Sequence, residues 1–130
     1  MAIHGIGTDI VSIARIGAAL ARHEERFARK VLADAEWARC ESLSESARPA
    51  YVAKRFAAKE AFFKALGEPP SAANTWHQLA VVNDAAGRPV LQCAPLLAAL
   101  LHDKKIITTH VTLSDEREHA VAFVTLEKEH

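Results

Sequence analysis

The chain has 130 residues, half of them hydrophobic and a quarter charged, and its sixteen acidic side chains balance sixteen basic ones. This length and composition predict a single globular domain over residues 1–130, with a core small enough for oligomerisation to help it. The balanced charge gives no reason to expect a nucleic-acid partner. The longest uncharged apolar run, around Pro95 to Leu101, is far too short for a membrane span, so we expect neither export nor membrane insertion.

Cys40 and Cys93 lie far apart in sequence and match no metal-binding spacing. We therefore expect both to be reduced packing residues of a cytoplasmic protein. A disulfide between them is the alternative.

The first segment, Ala2 to Val11, is rich in isoleucine and predicts a strand. Because side chains alternate along a strand, Gly5 and Gly7 share one face with Asp9. We expect the two missing side chains beside a carboxylate to leave room for a ligand; close packing of backbone is the alternative. Ser12 then caps a helix with apolar residues at helical spacing.

The next segment, Arg15 to Lys30, is locally basic in an otherwise neutral chain. Such a run is usually a solvated face. Asp34 begins a short predicted helix, Ala35 to Leu43. The polar stretch from Ser44 to Pro49 predicts a connection, with Arg48 just before the following helix.

The longest predicted helix runs from Tyr51 to Gly67, without internal Gly or Pro and with a glycine as its stop signal. Its apolar residues form two arcs. One arc is bulky and predicts contact with a core, and the other is small and predicts close approach of another backbone. The bulky arc holds Val52, Phe56, Phe62, Phe63 and Leu66, and the small arc holds Ala57, Ala58, Ala61 and Ala65.

Four charged residues of this helix stand out. Arg55 and Lys59 point within the bulky arc, where an unpaired cation is costly, so we expect an anionic group to meet them. Glu60 and Lys64 are one turn apart at the border of the arcs. Their simplest interpretation is a surface ion pair.

Two hairpins are predicted in the C-terminal half. The proline pair and small polar residues of Glu68 to Asn74 predict a loop. Alternation in the last hairpin puts His110 on one face of its strand. The predicted strands are Leu79 to Asn83, Pro89 to Cys93, Ile106 to Ser114 and Ala120 to Leu126, with a short helix from Pro95 to His102.

Asp9 and Glu60 come from different elements, and two carboxylates can hold a hard divalent cation such as Mg²⁺, which favours phosphoryl chemistry. Two acids are also compatible with glycoside hydrolysis. A set of cationic side chains argues instead for a polyanionic substrate. The set comprises Arg55, Lys59, Lys64 and His110.

The stretch Ile3-His4-Gly5-Ile6-Gly7-Thr8-Asp9-Ile10-Val11 resembles the opening of the holo-[acyl-carrier-protein] synthase family. The stretch Arg55-Phe56-Ala57-Ala58-Lys59-Glu60-Ala61 resembles its second signature, and the resemblance continues through the segment that begins at His110. It implies an α+β subunit of the 4′-phosphopantetheinyl transferase fold, a small antiparallel sheet packed with helices, and a homotrimer joined through the sheets with active sites between neighbours.

The resemblance also implies the reaction, a Mg²⁺-dependent transfer of the 4′-phosphopantetheine group from coenzyme A to a serine of apo acyl carrier protein, releasing adenosine 3′,5′-bisphosphate. The sequence departs from the family at Glu68 and Pro69, where Thr-Gly is usual. Because proline has no backbone N–H, this departure argues against a backbone contact to phosphate at Pro69. The implied residues are Asp9 and Glu60 for the metal, Glu60 and Lys64 for catalysis, Arg48, Arg55, Lys64 and His110 for coenzyme A phosphates, and Arg15, Arg22 and Arg26 for the carrier protein.

Two other functions remain open on the sequence. A non-catalytic module that binds coenzyme A or a carrier protein is the first, and it gains weight from Pro69. A structural oligomer is the second, although it leaves Asp9, Arg55 and Lys59 unexplained. Metal chelation separates an enzyme from an electrostatic binder, which should barely respond to it.

Overall fold

The computed structural model describes residues 1–23, 25–69, 71 and 75–130. The described elements form an α+β subunit with antiparallel sheets, as predicted. Single 3₁₀ turns lie at Glu45–Ala47 and Trp76–Gln78. The helices are α1 (Ile13–His23), α2 (Glu25–Val31), α3 (Asp34–Glu41), α4 (Arg48–Leu66) and α5 (Pro95–Asp103), and the strands are β1 (Ala2–Ser12), β2 (Leu79–Asn83), β3 (Pro89–Cys93), β4 (Ile106–Asp115) and β5 (His119–Lys128).

Helix α4 is the centre of the subunit and is buried on most of its circumference. It begins one turn earlier than predicted, at Arg48, because Pro49 occupies the first turn, where a missing N–H costs no hydrogen bond. It ends as predicted at Gly67, whose φ of 84° is the left-handed conformation of a helix cap. The Gly67 N–H donates to the Phe63 carbonyl oxygen.

Strands β1, β5 and β4 form an antiparallel three-stranded sheet in that order. One face packs on α4 and carries the fully buried side chains of β5. The other face, here called the outer sheet face, is largely exposed and carries four large apolar side chains among polar ones. The buried residues of β5 are Ala120, Ala122, Val124 and Leu126, and the outer sheet face carries Ile3, Ile6, Ile10 and Phe123, which are between 43% and 64% exposed.

The register across this sheet fixes which side chains share the outer sheet face. Thr8 pairs with Phe123, which pairs with Thr112 on the far strand. An irregularity in the pairing between Ile3 and Gly5 brings Ile3 onto the same face as Ile6. His110 also lies on this face, as the alternation of β4 predicted, because its partner Thr125 stands two residues from Phe123.

The glycines of β1 do not leave room for a ligand, and that expectation is wrong. A Cβ on Gly5 would stand 2.0 Å from the Ala65 carbonyl oxygen, and a Cβ on Gly7 would stand 1.9 Å from the Ala61 carbonyl oxygen. The backbone of α4 therefore fills the space above both glycines. The small arc of α4 provides this close approach, as predicted.

Strands β2 and β3 form a separate two-stranded sheet, so the single small sheet of the sequence prediction is divided in two. Both strands have the predicted bounds. Asp84 Oδ1 accepts hydrogen bonds from the N–H groups of Ala86 and Arg88, each 2.9 Å long, and shapes the turn between them.

The other elements agree with the predictions to within a few residues. Helix α3 spans Asp34–Glu41 where Ala35 to Leu43 was predicted, and both cysteines are free thiols. No helix among the described residues is long and apolar enough to cross a bilayer. The predicted loop from Glu68 to Asn74 lies partly outside the described residues, at Pro70 and Ala72 to Asn74. Glu24 in the basic segment also lies outside them.

Candidate active site

Asp9, Glu60 and Lys64 meet where β1 lies against α4. The Lys64 ammonium lies 3.3 Å from Asp9 Oδ1 and donates a 3.0 Å hydrogen bond to the Thr8 carbonyl oxygen. Lys64 therefore reaches across to β1. Its predicted ion pair with Glu60 is not among the ion pairs of the described residues.

Glu60 stands close enough to Asp9 for the two carboxylates to repel each other. Burial and the Asp9 charge raise the pKa of Glu60, and Lys64 opposes the shift. Two partly buried carboxylates close to each other, with one ammonium at their edge, form a donor set that fits a hard divalent cation. The residues present therefore fit a metal ion of the Mg²⁺ type.

An open cleft of about 450 Å³ lies beside the two carboxylates. Arg15 stands at this cleft because Ser12 Oγ accepts a hydrogen bond from the Arg15 N–H and starts α1 there. Arg22 at the end of α1 and Arg26 on α2 are exposed. The apolar side of the cleft comprises Ile10, Val11, Ile16, Ala19, Phe27 and Phe56.

Arg55 lies on another side of α4. Its guanidinium stacks 4.0 Å above the Tyr51 ring and donates a 3.4 Å hydrogen bond to the Val81 carbonyl oxygen. The side chain is 6% exposed, and its Nε has no hydrogen-bond partner among the described residues. Arg55 lines a second cleft, of about 520 Å³, together with Arg39 and Lys54. This cleft is cationic, with Asp115 as the acidic group on its wall.

Arg48 and His110 lie apart from both carboxylates. Arg48 Nη2 donates to the Glu41 carbonyl oxygen at 3.2 Å, and its side chain lines a third cleft beside α1 and α3. His110 is more than half exposed on the outer sheet face, with Nε2 2.6 Å from Glu127 Oε1. Within one chain, the described structure brings Asp9, Glu60 and Lys64 together but does not bring the other three predicted phosphate ligands, Arg48, Arg55 and His110, to them.

Lys59 is not available to a substrate, which corrects its place in the predicted cationic set. Its ammonium is fully buried and lies 2.5 Å from Glu36 Oε1. It also donates to the carbonyl oxygens of Val31 at 2.7 Å and Trp76 at 3.0 Å. Burial lowers the pKa of Lys59, and Glu36 opposes that shift. The predicted anionic partner thus exists, as a carboxylate of the same chain.

Glu36 is the residue that the sequence analysis missed. It is 1% exposed and accepts hydrogen bonds from the Ala33 and Val81 N–H groups, both 2.8 Å, besides the one from Lys59. The sequence indicated that a cation in the bulky arc needs an anionic partner. Which of the sixteen acids meets it depends on the tertiary packing of α3 against α4.

Paired carboxylates with an ammonium beside an open cleft, on an α+β subunit, suit a divalent cation and phosphoryl chemistry, and comparison with known proteins specifies the class of protein. The model of the 4′-phosphopantetheinyl transferase superfamily matches residues 5–124. The chain belongs to this family. The predicted family resemblance is confirmed.

Relatives within the family carry a more particular name. The chain is 47% identical over 126 residues to the holo-[acyl-carrier-protein] synthase of Thiobacillus denitrificans, covering 97% of this chain and 95% of that protein. The crystal structure of holo-[acyl-carrier-protein] synthase from Neisseria meningitidis superposes with a TM-score of 0.91 at 36% identity, covering 97% of this chain and 99% of that one.

A third similar protein was crystallised with a ligand. It is a holo-(acyl-carrier-protein) synthase from Bacillus anthracis in complex with CoA (3′,5′-ADP), and it matches with a TM-score of 0.82 at 32% identity. The match covers 99% of this chain and 100% of that one. The 4′-phosphopantetheinyl transferase fold predicted for this chain is therefore confirmed.

Proposed function

We propose that this chain transfers the 4′-phosphopantetheine group of coenzyme A to a serine of apo acyl carrier protein, with Mg²⁺ as cofactor. The observation that carries the proposal is the meeting of Asp9, Glu60 and Lys64 beside a cleft that also holds Arg15, in a chain of this family. The free cysteines agree with a cytoplasmic enzyme.

The reaction needs a bond from the serine oxygen to the phosphorus that bears pantetheine. The bond from that phosphorus to the bridging oxygen breaks, and its electron pair leaves on adenosine 3′,5′-bisphosphate. When bound by Asp9 and Glu60, Mg²⁺ supplies charge neutralisation at the pyrophosphate. Lys64 adds a positive charge there, since its ammonium stands beside Asp9.

Glu60 is our choice for the group that accepts the serine proton. Its carboxylate borders the open cleft through which a serine would approach, so it can accept the proton directly or through a water molecule, although a bound cation lowers its pKa. Phe27 and Phe56 form an apolar wall of the same cleft.

Arg55 is proposed to bind a phosphate of the adenosine end of coenzyme A. Its buried Nε lacks a partner among the described residues, and Arg39 and Lys54 add charge to the same cleft. An anion with several oxygens would satisfy that guanidinium and is attracted by the surrounding cations. Arg48 and His110 are proposed as further phosphate ligands.

A coenzyme A molecule that contacts both Arg55 and Glu60 would meet them on two different subunits. Five residues separate them on α4, which puts their side chains about 140° apart round the helix axis. Helix α4 itself packs against strands β1 and β5 of the sheet. We therefore propose a homotrimer joined through the outer sheet face, where Ile10 belongs both to this face and to the cleft of Asp9 and Glu60. His110 on that face would approach a neighbour's cleft.

The carrier protein is proposed to dock on α1 and α2. Arg15, Arg22 and Arg26 are exposed there, and Arg15 stands at the rim of the cleft that holds the two carboxylates. Acidic partners would be attracted and oriented by these charges, which affects association rate and partner choice most.

The test is turnover of purified protein with coenzyme A, MgCl₂ and apo acyl carrier protein, measured as the mass gain of the carrier. We expect complete modification, and none after chelation of the metal. A carrier protein that keeps its mass under these conditions, with coenzyme A bound, would favour the non-catalytic binding module instead.

A further inference from the structure

The Glu36–Lys59 pair is a closed hydrogen-bonded unit. The Lys59 ammonium has three donors, and its three acceptors are Glu36 Oε1 and the carbonyl oxygens of Val31 and Trp76. The two Glu36 oxygens accept from Lys59, Ala33 and Val81. Both side chains are at most 1% exposed. Neither residue has contact with a substrate cleft, so any influence on the reaction must pass through another residue.

This unit ties α4 to four neighbouring segments of the chain. Its partners lie at the end of α2, the start of α3, the turn at Trp76–Gln78 and strand β2. Lys59 precedes Glu60 directly, so the ammonium that is held and the carboxylate that faces Asp9 leave the helix one residue apart. On the other side of α4, the contact of Gly7 with Ala61 fixes the distance to β1.

Small rotations of α4 matter because Mg²⁺ demands near-ideal octahedral geometry. Side-chain ends lie about 5–6 Å from a helix axis, so a turn of about 20° moves a carboxylate by about 2 Å. A misplacement of about 1 Å is enough to cost on the order of a hundredfold in rate. Loss of the hydrogen bonds at Lys59 would permit such a turn, since they hold the helix next to Glu60.

The same unit supports one wall of the cleft. Lys59 holds the backbone of Trp76, and the Trp76 ring packs edge-on against Phe56 with centroids 5.0 Å apart. Phe56 in turn stacks at 6.5 Å with Phe27, and both line the cleft with Asp9 and Glu60. Two features of the site, the carboxylate and the apolar wall, thus depend on one buried pair.

We propose that Glu36 and Lys59 are positioning residues, which hold Glu60 in register with Asp9 and support the Phe56 wall. The inference rests on the proposed function for its metal and substrates. It differs from a purely structural role, because a buried ion pair can often be replaced by apolar residues without loss of stability.

The test therefore separates stability from metal affinity. The first variant is Glu36→Leu/Lys59→Met, which removes both charges and keeps apolar volume. The second is Glu36→Asp, which keeps the pair and shortens one side chain by a methylene. Each is compared with the wild type by thermal unfolding, by Mn²⁺ titration followed with electron paramagnetic resonance, and by turnover at varied MgCl₂.

We expect a variant that folds to bind Mn²⁺ about tenfold more weakly or worse, to need correspondingly more MgCl₂ and to have a lower kcat. Leu97→Ala is the control, since Leu97 is a fully buried core residue on α5 outside the pair. It should lower the melting temperature without changing Mn²⁺ affinity.

Wild-type Mn²⁺ affinity in either folded variant would overturn the positioning role. If the apolar double variant does not fold, Glu36→Asp decides in the same way. A wild type that binds Mn²⁺ but does not modify the carrier protein would contradict the proposed function while leaving the affinity test valid. A wild type that binds no Mn²⁺ would overturn both.

Discussion

Asp9 and Glu60 place two like charges together in the metal-free subunit, and this has a cost for stability. Because the pKa of Glu60 is raised in the folded state, folding favours its protonated form. The folded state is therefore most stable, as far as Glu60 is concerned, below the unfolded pKa of about 4.3, where the carboxyl is protonated. This stability is lost as pH rises through the raised pKa of the folded state. At neutral pH the ionised carboxylate therefore opposes folding.

We predict that Glu60→Gln raises the melting temperature at pH 7 without metal, because it removes a charge that burial and the Asp9 carboxylate both disfavour. The same variant should lose transfer activity and the thermal stabilisation that MgCl₂ gives the wild type. Thermal scans at pH 4 and pH 7 are the measurement, and the gain should shrink at the lower pH. A variant that is still stabilised by MgCl₂ and still active would exclude Glu60 as a ligand.

Arg15 is predicted to serve the carrier protein more than coenzyme A. Arg15→Glu should raise the KM for acyl carrier protein about tenfold or more and leave coenzyme A binding nearly unchanged, because it reverses an exposed charge at the rim of the cleft. The salt dependence of carrier use should also shrink. The control is Lys105→Glu, which reverses the charge of an exposed lysine on the turn after α5. Equal losses for both substrates would show that Arg15 is not a docking residue.

At the scale of elements, the contact between β1 and α4 gives a direct prediction. Gly7→Ala should destabilise the fold by about 1–3 kcal/mol or more, because its Cβ would stand 1.9 Å from the Ala61 carbonyl oxygen. Urea unfolding measures the change. The matched control is Gly17→Ala in α1, whose Cβ would meet Pro49 at 3.6 Å, an ordinary contact. It should stabilise by about 0.5–1 kcal/mol. Equal stability of the two variants would contradict the close packing.

Local sequence signals predicted the bounds of most helices and strands, but they did not predict how these elements pack against one another. The turn residues after Asn83 and the β-branched runs beside them were enough to give β2 and β3 their bounds. Gly7 looked the same in the sequence whether a ligand or a helix filled the space above it. Only the position of α4 decides between the two, and that position is a tertiary property.

The contacts of the candidate site also include some that the sequence could predict and one that depends on tertiary packing. Asp9 and Glu60 could be expected to meet because their segments resemble two signatures of one family. The isolation of Arg55 from Glu60 was also implicit in a five-residue spacing, which places the two on different sides of any helix. The partner of Lys59 was not predictable, since nothing local distinguishes Glu36 from other acids of the chain.

At the scale of the whole molecule, the outer sheet face tests the proposed trimer. Phe123→Asp should give a monomer by light scattering and remove most activity, because a charge would be buried in an apolar interface. Leu96→Asp is the control, since Leu96 is 56% exposed and lies on α5, which is not part of the outer sheet face. It should remain trimeric and active. A monomeric Phe123→Asp protein with normal turnover would show that one subunit holds a complete site.

The two opposed sides of α4 have a consequence for mixtures of inactive proteins. If each site takes Glu60 from one subunit and Arg55 from its neighbour, then Glu60→Ala and Arg55→Ala are defective in different halves of the site. A threefold ring that contains both kinds of subunit has one boundary where the two intact halves face each other. Random reassembly of equal amounts should therefore restore about a quarter of wild-type activity, from two preparations that have none. Two lesions on one helix would complement each other like mutations in separate genes, and a mixture that stayed inactive would place Arg55 and Glu60 in the same subunit's site.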